Sequence, residues 1–176
     1  MDRKGPWAQT YTGKQFWALD PRAEDVFIED IAHALSMLCR FNGATRPFYS
    51  IAEHSILVMR AVSPEKRLKA LLHDSPEAYS PFGDVIRPYK DHLPIVDEIE
   101  APIAAAVADA FGLDDLYDEE IKKADNAILI DEKKLMSPEP ADWGLMGEPL
   151  GLDHFPCWPP FYAEKVFLSE YKKLTG

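Results

Sequence analysis

The chain has 176 residues, 47% of them hydrophobic and 28% charged, which suits one soluble-type domain with a substantial core. Its formal net charge of −11 argues against duplex DNA, RNA or an anionic membrane as a partner, because phosphate surfaces demand basic ones. A small phosphorylated substrate stays compatible, since a bound metal and two or three local cations reverse the sign of one pocket.

Residues 1–20 are read as a hairpin region. Trp7 to Leu19 alternates around Thr12-Gly13-Lys14, a pattern that predicts a small β-hairpin needing a surface to pack on. Pro21 ends it. The spacing of Ile28, Ile31, Ala32, Leu35 and Leu38 predicts a helix from Ile28 to Cys39, with Glu29 and Asp30 in its first turn. Asn42-Gly43 breaks it, and a loop runs to Tyr49. Ser50-Ile51-Ala52-Glu53 is a capping box, predicting a helix to about Val62. Ser63-Pro64-Glu65 starts another, with Ser63 as cap. Pro76 bends or stops that helix near Asp74, and Ser75-Pro76-Glu77 can begin a short one.

Pro81 to Leu93 reads as a loop. A long Ala-rich helix follows from Leu93 or Pro94 to Phe111, ended by Gly112 and kinked at Pro102. Tyr117 to Leu135 is predicted helical, 137–160 irregular and rich in Pro, Gly and Trp, and 161–174 a final helix. The expected class is all-α in a single domain spanning 1–176. Its helical core is placed at 28–135. Cys39 and Cys157 share no CxxC or zinc-finger spacing and read as reduced thiols. Met1 to Pro6 opens no hydrophobic signal segment and no run reaches transmembrane length, so a cytoplasmic protein is expected.

Four residues carry the functional signal. Asp125 falls in the stripe Ile121, Ala124, Ile128, Leu129, whereas a solvated aspartate would sit beside Lys122, Lys123 or Asn126. His54 lies one turn after Ile51 and one before Val58, so it faces inward. His73-Asp74 ends the apolar run Ala70-Leu71-Leu72, where adjacent side chains converge on one point. An inward ionisable group is costly unless compensated, and one divalent cation held by two imidazoles and two carboxylates offsets that cost for all four. A buried aspartate satisfied by a cap or an arginine is the plainer alternative for Asp125, and a hydrogen-bonded core imidazole for His54.

The segments Tyr49-Ser50-Ile51-Ala52-Glu53-His54-Ser55, Leu71-Leu72-His73-Asp74-Ser75-Pro76-Glu77-Ala78 and Lys123-Ala124-Asp125-Asn126 resemble the three signatures of the HD-domain phosphohydrolase superfamily. The similarity runs from about Ile28 to about Leu135 and is nearest to small deoxynucleotide-hydrolysing members, the 5′-deoxynucleotidases and deoxynucleoside triphosphate triphosphohydrolases. The resemblance implies a compact HD-type helical fold. It also implies one divalent transition metal (cobalt, manganese, iron, nickel or zinc) on His54, His73, Asp74 and Asp125. Such an ion lowers the pKa of bound water and polarises a phosphoryl group.

Glu77 matches a glutamate that handles protons beside the metal in those enzymes, and Asp84 a further acidic residue. Here the stretch Tyr79 to Gly83 is longer than theirs, which loosens the match at Asp84. For Glu77 a solvated first-turn carboxylate is the plainer reading, and for Asp84 a turn residue. Arg40, fourteen residues before His54, resembles the family's phosphate-contacting arginine. Arg46, Arg87 and Lys90 flank the ligand segments as weaker phosphate candidates. Phe41 and Phe48 are placed either to stack on a base or to join the core. His33 reads as core or surface rather than as a ligand. The expected function is metal-dependent hydrolysis of a deoxynucleoside mono- or triphosphate, with a possible homodimer and no nucleic-acid polymer. Two alternatives remain: hydrolysis of guanosine tetraphosphate, disfavoured because Glu77-Ala78 replaces two consecutive acids, and a non-catalytic nucleotide-binding scaffold.

Overall fold

Helix α2, Ile51–Ala61, is buried on every side from Ile51 to Met59, and the rest of the molecule is arranged around it. A helix apolar all round must be enclosed, and α2 is enclosed by α1 (Ile28–Met37), α3 (Arg67–Leu72), α6 (Glu119–Glu132) and α7 (Pro160–Thr175). This computed structural model describes residues 2–136 and 141–176. Seven α-helices and one two-stranded sheet among them make the fold all-α with a small N-terminal hairpin. Two further helices, α4 (Arg87–Lys90) and α5 (Pro94–Ala110), lie on one side, α5 against the turns at 23–25 and 75–78.

The hairpin is shorter than the alternation suggests. Strands β1 (Ala8–Gln9) and β2 (Gln15–Phe16) pair antiparallel across a turn in which Gly13 takes φ +82°. It persists because it docks on α1. The Thr12 N–H and hydroxyl donate to the two carboxylate oxygens of buried Asp30, at 2.7 and 3.0 Å. Tyr11 stacks on His33 at 3.6 Å and Phe16 on Tyr79 at 4.2 Å. His33 Nδ1 is also 3.1 Å from Glu164, which accounts for that imidazole without any ligand role.

Boundaries differ from the sequence reading in instructive ways. Ser50 caps α2, its Oγ accepting from the Glu53 N–H at 3.1 Å. The reciprocal half of the capping box does not form. The Glu53 carboxylate instead accepts from the backbone N–H groups of Cys157 and Trp158, at 2.8 and 2.7 Å. Ser63 does not cap α3. Its N–H and hydroxyl both donate to Glu120, and a 3-10 turn at Pro64–Lys66 precedes the helix. Pro76 does stop α3 at Leu72, and a 3-10 turn follows at Ser75–Ala78. The expected loop at 81–93 contains the single-turn helix α4, and α5 runs through Pro102 from end to end. Of the irregular segment expected at 137–160, residues 137–140 lie outside the described residues, and 141–159 hold no helix or strand. Asp131 clamps this strap by accepting from the N–H groups of Gly151 and Leu152, at 2.8 and 3.0 Å. Among the described residues no helix is long and apolar enough to cross a membrane.

Candidate functional site

Three elements bring the inward polar residues together. α2 delivers His54, the break after α3 delivers His73 and Asp74, and α6 delivers Asp125. Asp74 has left the helix because Pro76, two residues on, cannot continue it, and this turns its carboxylate back toward α2. One ligand atom from each of His54, His73 and Asp74 lies within 4.8 Å of the other two. Asp74 Oδ2 is 3.6 Å from His54 Nε2 and 3.3 Å from His73 Nε2. Asp125 joins from the His54 side, its Oδ1 3.2 Å from Nε2.

The orientation of both rings is fixed from behind. His73 Nδ1 lies 2.8 Å from the Ala70 carbonyl, which can only accept, so Nδ1 carries the proton and Nε2 faces the cluster with its lone pair. His54 Nδ1 is 2.7 Å from Glu132 Oε1. A histidine donating its far nitrogen to a carboxylate or carbonyl is the arrangement that orients imidazole for metal binding. His54 Nε2, His73 Nε2 and Asp74 Oδ2 are buried without any hydrogen-bond partner. Three buried ligand-type atoms without hydrogen-bond partners, converging on one space, are what a divalent cation would satisfy on displacing the proton that His54 otherwise holds. The donor set of imidazole and carboxylate suits a first-row transition metal.

Glu132 was not foreseen. It is completely buried and accepts from His54, from the Tyr49 hydroxyl at 2.8 Å and from the Arg40 guanidinium at 3.0 Å. The signal was available, because Glu132 lies four residues after Ile128 and seven after Asp125, on the same inward stripe. Burial would raise its pKa, but Arg40 and His54 hold it at about 2. Burial and Arg40 press His54 toward neutrality, yet the Glu132 and Asp125 carboxylates outweigh them and place it at about 9. Asp125, despite burial, is held far below the usual carboxylate range by His54, His73 and Lys122.

Beside this cluster opens a cavity of about 530 Å³, a size typical of small-molecule sites. Arg40, Arg87, Lys90 and Lys122 line it together with Asp74, Glu77, Asp84, Asp91 and Asp125. Four cations against five carboxylates leave it near neutral, so an added dication tips the pocket positive. Arg40 is buried and reaches Asp74 at 3.7 Å. Lys90 is anchored by Glu100 at 2.6 Å. Burial, then the Asp74 and Asp84 carboxylates, push Glu77 well above the usual carboxylate range. Burial also raises Asp84, whose Oδ2 accepts from the Phe41 N–H at 2.6 Å.

Two expectations need correction. Arg46 does not reach this cavity. It is exposed, donates to the Lys134 carbonyl, and borders a separate depression with His154 and Cys157. Lys122 and Asn126 are not on a face opposite Asp125. Both line the cavity, and Lys122 Nζ is 2.7 Å from Asp125 Oδ2. Phe41 lines the cavity and Phe48 does not.

The uncharacterized protein YfdR of Escherichia coli (strain K12) is 34% identical to this chain over 151 residues, covering 86% of the chain and 76% of YfdR. The chain belongs to the YfdR family. The uncharacterized protein RCAP_rcc00048 of Rhodobacter capsulatus is 38% identical over 131 residues, which cover 69% of this chain and 66% of that protein. No family model matches the chain.

Proposed function

We propose that this YfdR-family protein is a metal-dependent phosphohydrolase of the HD type, acting on a deoxynucleoside mono- or triphosphate. The observation that carries the reading is the convergence of two pre-oriented imidazoles and an unpartnered carboxylate at the edge of a cation-lined cavity. His54, His73, Asp74 and Asp125 would hold the ion. When bound, the ion would supply Lewis-acid polarisation of the phosphoryl group and acidify water.

The remaining work falls to the chain's own side chains. Hydrolysis forms a bond from phosphorus to a water oxygen, breaks the bond to the leaving oxygen, and moves one proton from the water to the leaving group. Arg40, rigidly held by Glu132, presents a fixed guanidinium suited to a phosphoryl oxygen. Arg87 and Lys90 add charge along the same wall. Glu77 faces the cavity, and burial with the Asp74 and Asp84 carboxylates favours its protonated form, so it is placed to hand a proton to a departing oxygen. Asp84 fixes the Arg40–Gly43 loop through Phe41 and so acts on position rather than on substrate. A nucleotide substrate and two free thiols, Cys39 and Cys157, fit a cytoplasmic enzyme.

The test is elemental analysis of the purified protein, followed by assays of phosphate and triphosphate release from dNMPs and dNTPs with Co²⁺ or Mn²⁺. The expected result is one bound transition metal per chain and release that is lost in both His73→Ala and Asp74→Ala. Release that survives both substitutions, or no release from any nucleotide by metal-loaded protein, overturns the reading.

A further inference from the structure

Besides its charged side chains the cavity is lined by apolar ones, Phe41, Val85, Ile86, Leu129, Trp143 and Leu145. Two of them are aromatic rings in contact. Phe41 comes from the left-handed turn at Arg40–Gly43, and Trp143 from the strap far along the chain. Their centroids are 5.6 Å apart and their planes tilted by 46°, so no third ring fits between them. Both rings line the cavity, so a planar group entering it meets one or the other.

Phe41 is held there at a cost. It has φ +55° and its neighbour Asn42 φ +50°, a left-handed backbone that disfavours a bulky side chain by about 1–2 kcal/mol. The short hydrogen bond from the Phe41 N–H to Asp84 maintains this conformation. Arg40 lies over the Phe41 ring at 5.1 Å and Lys133 over the Trp143 ring at 5.5 Å, so each ring is braced by a cation. A core phenylalanine needs no strained backbone anchored by a cavity carboxylate. Strain that is actively maintained beside a cleft marks pre-organisation for a ligand.

We infer that Phe41 and Trp143 form a stacking platform for a planar aromatic heterocycle attached to the substrate's phosphate, with Trp143 as the residue that sets preference for a base-bearing substrate. The inference rests on the phosphohydrolase reading and names what the cavity's aromatic residues bind. Arg40 links these to the cluster, since one guanidinium is both over the Phe41 ring and 3.7 Å from Asp74.

Two measurements on the full chain test it. In the first, metal-loaded wild type, Trp143→Ala and Trp143→Phe are assayed on dAMP and on 2-deoxyribose 5-phosphate, which keeps the sugar and phosphate but lacks the base. Loss of one base-aromatic stack reduces binding by about tenfold. The kcat/KM ratio for dAMP over deoxyribose 5-phosphate should therefore fall about tenfold in Trp143→Ala and stay near wild type in Trp143→Phe. An unchanged ratio overturns the inference. In the second, deoxyadenosine, which carries no phosphate, is titrated calorimetrically into the same proteins. Saturable binding by wild type that weakens in Trp143→Ala supports the platform, and no binding by wild type overturns it. If wild type hydrolyses neither phosphate, the phosphohydrolase reading fails while the nucleoside titration still decides the platform.

Discussion

Removing the Glu132 carboxylate should be the most damaging single change outside the apolar core. In Glu132→Ala, the Arg40 guanidinium, the Tyr49 hydroxyl and the His54 Nδ1–H all lose their acceptor in fully enclosed surroundings. Breaking a buried ion pair from one side costs about 3–5 kcal/mol, most of it the penalty of an uncompensated charge. For a domain of this size each kcal/mol moves Tm by about 2–4 °C, so the midpoint should fall by roughly 6–20 °C. Glu132→Gln keeps the shape and one acceptor oxygen and should lose less than half as much. Tyr49→Phe removes one donor and should cost about 1 kcal/mol. The assay is thermal unfolding by circular dichroism in chelator, which isolates the protein's own stability. Titrating Co²⁺ into Glu132→Gln should then show about 10–100-fold weaker binding, because the carboxylate orients the imidazole from behind. A Tm for Glu132→Ala within 2 or 3 °C of wild type (about the shift of 1 kcal/mol) would refute the reasoning.

The metal-free protein should lose stability as pH rises from about 6.5 to 9. His54 is raised to about 9 in the folded state, so its contribution is complete below its ordinary pKa and vanishes through the folded one. The total is of order 3 kcal/mol, shared with Asp125 and Glu132 and counted once. Glu132, lowered to about 2, acts oppositely and gives up stability only as pH falls below about 4.5. Chelator-treated samples melted from pH 9 down through about 4.5 and below check both signs, and a flat or rising Tm between pH 6.5 and 9 contradicts the first. Glu53→Ala should cost about 2–4 kcal/mol, from two charge-assisted bonds to the strap amides. It should also open the strap to limited proteolysis within 141–159, and an unchanged cleavage pattern would argue that other contacts hold it. Arg87→Ala should lower kcat/KM on a nucleotide about tenfold, as expected for a lost charged contact. Arg46→Ala should leave kcat/KM near wild type, because Arg46 faces a different depression; equal losses in the two would refute that placement.

Much of the arrangement was legible because inward spacing and helix punctuation are local signals. Ile121, Ala124 and Ile128 define a buried stripe, and any polar residue on it must be compensated. That rule placed Asp125, and carried one turn further it would have placed Glu132 as well. Pro76 told where α3 must stop, and hence that His73 and Asp74 leave a helix end rather than continue along a face. Lys122 was misread because residues three apart share a helix face. Lys122 therefore stands beside Asp125 over the cavity, its ammonium on the Asp125 carboxylate. Arg46 was misread because proximity along the chain to Tyr49 and Ser50 says nothing of which side the loop faces.

The strap shows where local rules give way. Ser50-Ile51-Ala52-Glu53 satisfies the capping-box pattern, and the serine behaves as the pattern says. The glutamate does not, because α2 is buried on all sides and its start lies beneath the strap. There the N–H groups of Cys157 and Trp158 take both of its carboxylate oxygens. Cys157 sits at φ +51°, a turn no cysteine adopts for its own sake, and this points both amides at one carboxylate. Asp131 treats Gly151 and Leu152 in the same way. Each clamp is the immediate chain neighbour of a residue in the His54–Glu132 pair. The strap that bears Trp143 is therefore tied, through Glu53 and Asp131, to the two helices that set the geometry of the cluster. A substitution that loosens either clamp should disturb Trp143 and the buried cluster together, although it touches neither.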